Sequence, residues 1–375
     1  MKKAIRIPLA FVAVCVFIVT IAAAYGGAVD PRTTPLPGLV TMAFPWLISI
    51  TVIITVASLF FFRRLAIAGA IATLICLSEA LTICPLNIGD NDSSMSGHDS
   101  DSTFSVMTYN TYYFLDYKSD TIPAPDTNST VKAILAADPD IALLQECAPV
   151  TFPDRTPYIG TADSDSLTSR YPYRLSNGRS SCILSKFPVS EIHVDINTDA
   201  SPSFSVTRYA VDIHGRKLNI LSLHLQSLML SDEAKLSVHD VSYMRTQRKD
   251  ISIIRHELLP KIANAMRIRA GQAHEVRQLI DSISGPLIVC GDFNDVPLCY
   301  AIRTISGTDL KNAYTESAFG FAATYRKRGM SLRIDHMLFR APLSAVSSRR
   351  IADGCSDHFP IMTTFNFDYT NNINH

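Results

Sequence analysis

Several apolar runs in this 375-residue chain end on a residue that can bind a metal, a phosphate or a proton. They are Asn110 in "MTYN", Glu146 in "ALLQE", His224 in "LSLHLQS", Asp292 with Asn294 in "GDFND", Asp335 in "RIDH", and Asp357 with His358 in "SDHFP". A carboxylate at the mouth of a buried strand is partly desolvated, which is costly unless a cation or dense hydrogen bonding compensates. Asp and Asn are also common in turns where strands end, so each position is weak alone and only the combination is informative. On an extended chain Asp292 and Asn294 project to one face while Phe293 turns the other way. A carboxylate beside a carboxamide suits a bound water and a phosphoryl oxygen. Glu146 offers the hard oxygen that Mg²⁺ prefers, with water filling the remaining positions. Asn110 adds a neutral oxygen and Asp357 a further carboxylate as candidate metal ligands. His358 is a donor for a phosphoryl oxygen, and Asp335 can hold its ring and favour the imidazolium.

These residues need strands to carry them. "FSVMTYN" reads as a strand, and "TVKAILAADPDIALLQE" as helix, turn and buried strand ending at Glu146. "SSCILSKFPV", "RYAVDIHG" and "LNILSLHLQS" follow as strand candidates, then a long helical stretch over 241–284 in which Pro260 should start a new helix or kink the old one. "GPLIVCGD", "SLRIDHMLF" and "SDHFPIMTTF" complete the set. Strands interleaved with helices predict an α/β sandwich of two sheets covered by helices.

In this combination and order the motifs resemble the endonuclease/exonuclease/phosphatase superfamily, over about residues 103–367. The stretch running from "GDFNDVPLCY" to "SLRIDHML" looks closest to its bacterial membrane-tethered members. The resemblance implies a four-layer α/β sandwich, two β-sheets flanked by helices, with the site where both sheets end. It also implies Mg²⁺, or Mn²⁺, as cofactor. By the same resemblance, water oriented by Asp292 would attack phosphorus in line, and a metal held by Glu146 would stabilise the leaving oxygen. Either Asp292 or the His358–Asp335 pair is the base. His224 falls where nuclease-like and sphingomyelinase-like members carry a histidine, which implies a phosphate or leaving-group contact; Arg179 and Tyr325 are candidate substrate contacts. His336 departs from the pattern, because the family usually has an aromatic such as Tyr there.

The N-terminal part is different. Uncharged runs at about 7–24, 40–62 and 65–83 predict three transmembrane helices ahead of the sandwich, the last interrupted by Glu79. The first could instead be a cleaved signal peptide. Lys2, Lys3 and Arg6, then Arg63 and Arg64, suit the cytoplasmic side. A multi-pass protein is therefore expected, its catalytic domain extracytoplasmic, on the periplasmic side of a bacterial inner membrane. The expected organisation is a membrane region over 1–86, an acidic, Ser-rich flexible linker over 87–102, and a catalytic domain over 103–367.

Residues 101–375 carry 28 basic and 29 acidic groups, which gives no general electrostatic case for a polyanionic partner. A local basic excess lies at 243–280. The eight cysteines show no CxxC spacing and suggest neither a zinc site nor a disulfide framework. The expected partners are the bilayer and a phosphoester substrate, whether lipid, small phosphodiester or nucleic acid. The leading reading is a membrane-anchored Mg²⁺-dependent phosphoester hydrolase. Its alternatives are an extracytoplasmic nuclease and a catalytically inactive, membrane-tethered module that binds a phosphate ligand.

Overall fold

The structure, a computed structural model, describes residues 3–88, 102–119, 121, 123, 126–147, 159–177, 181–196, 203–228, 256, 258–326, 331–352 and 354–368. Arg179, residues 89–101 of the expected linker and 241–255 of the expected helical stretch lie outside these.

Two mixed sheets form the centre. The first has the order β11-β12-β1-β2-β4-β3, from β1 (Thr103–Asn110), β2 (Ile141–Gln145), β3 (Tyr173–Ser176), β4 (Ser181–Ser185), β11 (Leu343–Arg350) and β12 (Ile361–Phe367). The second runs β5-β6-β7-β8-β10-β9, from β5 (Val189–Ile192), β6 (Ser205–Ile213), β7 (Arg216–His224), β8 (Leu287–Asp292), β9 (Lys311–Asn312) and β10 (Asp335–Phe339). The parallel pairs β1–β2 and β7–β8 lie inside their sheets, where strands covered on both faces read as continuous apolar runs. One face of each sheet meets the other through Val106, Leu143, Ile220, Ile288 and Phe365. The outer face of the first sheet is covered by α6 (Ser129–Ala137) and α7 (Thr161–Arg170), through Val131, Ile134 and Leu167. That of the second is covered by α8 (Leu259–Ser282) and α9 (Tyr300–Ser306), through Ala273, Val276, Ile280 and Ile302. The expected sandwich is thus observed.

Local chemistry sets the element ends. Asn128 caps α6 by accepting from the N–H groups of Thr130 and Val131. Pro260 sits in the first turn of α8, where its missing N–H costs nothing. Gly291 is required: a Cβ there would lie 1.9 Å from the Leu223 carbonyl oxygen of the neighbouring strand.

Ahead of the sandwich come α1 (Lys3–Tyr25), α2 (Leu36–Met42), α3 (Phe44–Leu59), α4 (Arg63–Ile75) and α5 (Leu77–Ile83). One helix, spanning Arg6–Ala28 with mean hydropathy 2.7, is long and apolar enough to cross a membrane alone. The other two expected spans are each broken: α2 and α3 meet at 63°, α4 and α5 at 57°. Pro45 in the first turn of α3 accounts for the first break, because it cannot bond back into α2. Nothing in the sequence at Cys76 explains the second. α10 (Ala313–Ser317) follows β9 directly.

The N-terminal helices are packed on the sandwich. The Arg303 guanidinium on α9 donates to the Ala24 carbonyl at 3.1 Å and lies 3.9 Å from Glu79. Arg333 donates to the Thr82 carbonyl. The backbone at Gly27 lies against Leu298 so closely that a Cβ would sit 1.8 Å from its carbonyl oxygen. At the start of the expected linker, the Asn87 amide donates to the carbonyls of Thr315 and Ala318, both at 2.9 Å.

A second difference from expectation is a disulfide, Cys147–Cys182. The spacing of 35 residues carries no signal. The pairing arises because β2 and β4 are antiparallel neighbours, with Leu144 opposite Cys182.

Candidate active site

The register of the second sheet assembles half of the site. Asp292 is the last residue of β8; His224 is its partner on β7 and Asp335 its partner on β10. The first sheet ends at the same place, with Asn110 closing β1 beside Gln145, and Glu146 following directly. A cavity of about 250 Å³ opens here, lined by Glu146, Asp292, Asn294, Asp357, His358 and Tyr325, among others; Asn110, His224 and Asp335 are not part of its lining.

Asp292 is the hub and only 1 % exposed. Its Oδ2 accepts from the Asn110 amide at 3.0 Å and lies 3.7 Å from both His224 Nε2 and His358 Nε2. Its Oδ1 accepts from the Asn294 backbone N–H at 2.8 Å. Burial raises its pKa, against the lowering effect of the two histidines. His358 Nδ1 donates to Asp335 Oδ2 at 2.8 Å. Burial alone would push this imidazole down, but the carboxylates of Asp335 and Asp292 outweigh it and lift the pKa to about 10. His358 is thus held as an imidazolium facing Asp292.

His224 is buried, and neither ring nitrogen has a hydrogen-bond partner among the described residues. Its Nε2 lies 3.7 Å from Glu146 Oε1 as well as from Asp292. Asp335 Oδ1 is likewise unpartnered. Buried groups left this way mark a place where water, an ion or a ligand completes the bonding. The donor set suits a hard divalent cation: the Glu146 side chain is 20 % exposed toward the cavity that Asp357 also lines. Asp292, Asp335 and His358 also form a cluster able to hold an ion, their candidate atoms lying within 4.8 Å of one another. Because His358 Nδ1 and Asp335 Oδ2 already bond each other, that trio reads better as a charge-assisted pair facing a carboxylate.

Two backbone details differ from the extended-chain picture. Asn294 has φ 52°, so it is not on a continuing strand, and its amide donates to the Leu225 carbonyl at 3.0 Å. The chain turns because Asp292 binds the Asn294 N–H, while Phe293 goes into the core as expected. Glu146 also has positive φ, 50°, and is pinned through its carbonyl by the Tyr113 N–H and the Thr111 hydroxyl. Such strained conformations persist only where the surroundings over-determine them.

Other residues escaped the sequence. Ser356 ties the His358 loop to β1: its hydroxyl donates to the Asn110 carbonyl at 2.7 Å and accepts from the His358 N–H at 3.0 Å. Thr324 accepts from the Asp335 N–H at 3.1 Å. Arg269, from the basic stretch, is buried in an ion pair with Asp295 at 3.2 Å, and both line the cavity. It is therefore no solvated anion-facing group. Tyr325 lies edge-on to His358, ring centres 5.0 Å apart. His336 faces away from the cluster, buried against Phe293 and donating to the Asp295 carbonyl at 2.9 Å. Met42, from the N-terminal helices, lines the cavity too.

Comparison with known proteins places this fold. A family model described as Endonuclease/Exonuclease/phosphatase family matches residues 107–358. A second, described as a domain of unknown function (DUF8431), matches residues 5–82. No curated protein matches. Among solved structures, a truncated TDP2 from Caenorhabditis elegans is 18 % identical, with 70 % of this chain and 98 % of that one covered and a TM-score of 0.43. The human Nocturnin catalytic domain with bound sulfate is 18 % identical over 71 % of this chain and 94 % of its own, TM-score 0.41. An endonuclease/exonuclease/phosphatase from Beutenbergia cavernae is 14 % identical over 71 % and 72 %, TM-score 0.44. The chain belongs to the Endonuclease/Exonuclease/phosphatase family.

Proposed function

We propose that this phosphoester hydrolase is membrane-anchored and divalent-metal-dependent, and that it cleaves a phosphodiester or phosphomonoester by in-line attack of water. The observation that carries the reading is Asp292 flanked by two histidines, each 3.7 Å away, at the mouth of both sheets. Asn110 fixes the Asp292 carboxylate, which orients a water and takes its proton. His358, charged and held by Asp335, donates from Nε2 to a phosphoryl oxygen and offsets the charge that develops there. His224 donates to a second oxygen of the same group. Asn294 has its amide nitrogen tied to Leu225, which leaves its oxygen to position water. Glu146, with Asp357 and Asn110, would hold Mg²⁺ or Mn²⁺, which when bound neutralises charge on the phosphate and the leaving oxygen.

The placement of the helices supports an extracytoplasmic catalytic domain. Arg6 stacks on Phe62, next to Arg63 and Arg64, so these basic residues share one end of the helices. Ala24, Glu79 and Thr82 meet the sandwich at the other end. With basic residues inside, each bent pair counts as one span and the sandwich lies outside. The Cys147–Cys182 disulfide suits an oxidising compartment.

Hydrolysis of a chromogenic phosphodiester by the full chain tests the reading. Turnover should require added Mg²⁺ or Mn²⁺ and stop on chelation. In a parallel screen, small or membrane-presented esters should be cleaved at least as fast as plasmid DNA. Undiminished turnover after chelation, or rapid plasmid nicking with lipid esters untouched, contradicts it.

A further inference from the structure

A second cavity, of about 300 Å³, adjoins the first, and Met42, Val296 and Leu332 line both. Its walls are almost wholly apolar. One side comes from the N-terminal helices, through Pro45, Trp46 and Ile83; the other comes from the sandwich, through Leu298 and Phe321. Trp46 and Phe321 remain 62 % and 52 % exposed. Aromatic side chains of this kind favour a membrane–water boundary. Helices with large exposed apolar residues, among them Ile53, Leu59 and Ile71, lead away from this rim.

One wall residue is unusual. Arg333 is 2 % exposed, and its Nε and Nη1 have no hydrogen-bond partner among the described residues. It has the Tyr314 ring at 4.7 Å and the Thr82 carbonyl as its contacts. Burial moves its pKa down to about 10. An unsatisfied cation in an apolar wall leaves donors for an acceptor that the chain does not supply.

Building on the phosphoester reading above, we infer that the substrate is a bilayer lipid phosphoester. Its phosphate occupies the Asp292–His358 cavity, and one hydrocarbon tail occupies the adjoining pocket between the N-terminal helices and the sandwich. Three features single out a lipid tail as occupant. The pocket shares Met42, Val296 and Leu332 with the candidate catalytic cavity, it is open at an aromatic rim beside the apolar helices, and Arg333 in its wall has donors that no described residue satisfies. The N-terminal region is then part of the substrate site as well as an anchor.

The test compares two diesters with the same scissile bond, 4-nitrophenyl ethyl phosphate and 4-nitrophenyl hexadecyl phosphate. Water attack on either forms the new P–O bond, breaks the bond to the aryl oxygen and releases 4-nitrophenolate and the alkyl phosphate. The full chain is assayed in a phosphorus-free, bile-salt-type detergent, which has no alkyl chain to compete. The readout is the ratio of kcat/KM, hexadecyl over ethyl. Each methylene buried is worth roughly fourfold, so the wild-type ratio should be on the order of tenfold or more. Filling the pocket with Ser331→Trp from the exposed rim, or with Ile83→Trp from the helix side, should bring the ratio toward one. Because the ratio is read within each protein, a loss of folded enzyme cancels, and the two variants fill the pocket from opposite walls. A wild-type ratio near one, with the ethyl ester cleaved, overturns this inference alone. A preference that survives both fillings is surface enrichment and also overturns it. Failure to cleave either ester overturns the phosphoester reading as well.

Discussion

The sandwich and the N-terminal helices use the same residue types in opposite ways. In the sandwich, Phe104, Ile288 and Phe365 are sealed between sheets, whereas in the helices Ile7 and Phe60 stand 74 % and 77 % exposed. So dense a set of large apolar side chains turned outward suits apolar surroundings, in keeping with the membrane anchoring proposed above. The contrast extends to polar groups. The sandwich gathers its buried carboxylates and histidines at one end, where strands from both sheets stop. The helices keep their one buried acid, Glu79, beside a cation borrowed from the sandwich. The candidate site therefore sits at an edge of the sandwich, and the helices meet it there.

The largest effect should come from breaking the polar end while leaving both apolar regions alone. Asp335→Asn removes the charge that holds His358, and His358→Ala removes the donor itself. Each should cut turnover about a hundredfold, roughly 3 kcal/mol, and lower the thermal midpoint because a buried charge loses its partner, so turnover is read per folded enzyme below that midpoint. A variant within threefold of wild type would show that this pair does not act on the reacting phosphate.

Next is the covalent link inside the sandwich. Cys147→Ser should lower the stability of the full chain by about 2–5 kcal/mol. Cys147 follows Glu146, so metal affinity, read by Mg²⁺-dependent turnover, should weaken too. Equal thermal midpoints under reducing and oxidising conditions would contradict this.

The joint between the regions gives a smaller effect. Arg303→Ala removes the donor to the Ala24 carbonyl and the cation beside Glu79. A cost of about 1–3 kcal/mol is expected, measured as thermal unfolding in detergent, and an unchanged midpoint would argue against docking of the helices at this face.

The effect that vanishes at neutral pH, and grows only on acidification, belongs to His336. His336 is lowered to about 3 by burial, then by the charge of Arg333, and the Asp295 carbonyl only partly opposes this. It is neutral in the fold while the unfolded chain takes up a proton. Its contribution is therefore complete above the ordinary histidine value near ~6.5 and is lost as pH falls toward about 3. Across that window it costs about 1.4 kcal/mol per pH unit. His336→Gln keeps a donor for the Asp295 carbonyl, so its stability should fall less steeply on acidification. An identical slope in both proteins would remove His336 from the account.

Local chemistry made much of this legible in the sequence. The strand leading into Asp292 could be read because an apolar run between glycines has few other uses, and α8 because Pro260 marks its start. The site residues drew notice as polar groups at the ends of apolar runs. What stayed hidden depends on contacts between distant segments. Cys147 meets Cys182 only through the β2–β4 pairing, and Arg269 reads as a surface charge until Asp295 is placed beside it. The bent helix pairs looked like plain spans because hydropathy has no angular information, although Pro45 was a usable signal. The seating of Met42 in the cavity wall follows from how the helices dock, which no local pattern encodes.

The central claim is that Asp292 is the group around which the phosphoester site is organised. The direct measurement is turnover of a chromogenic diester by Asp292→Asn in the full chain, across a Mg²⁺ series, alongside its thermal midpoint. The substitution keeps the shape and removes the charge and the proton acceptor. Turnover should fall by about a hundredfold or more at every Mg²⁺ concentration, while the midpoint holds or rises because a buried charge has been relieved. Near-wild-type turnover in a folded Asp292→Asn protein would contradict the account.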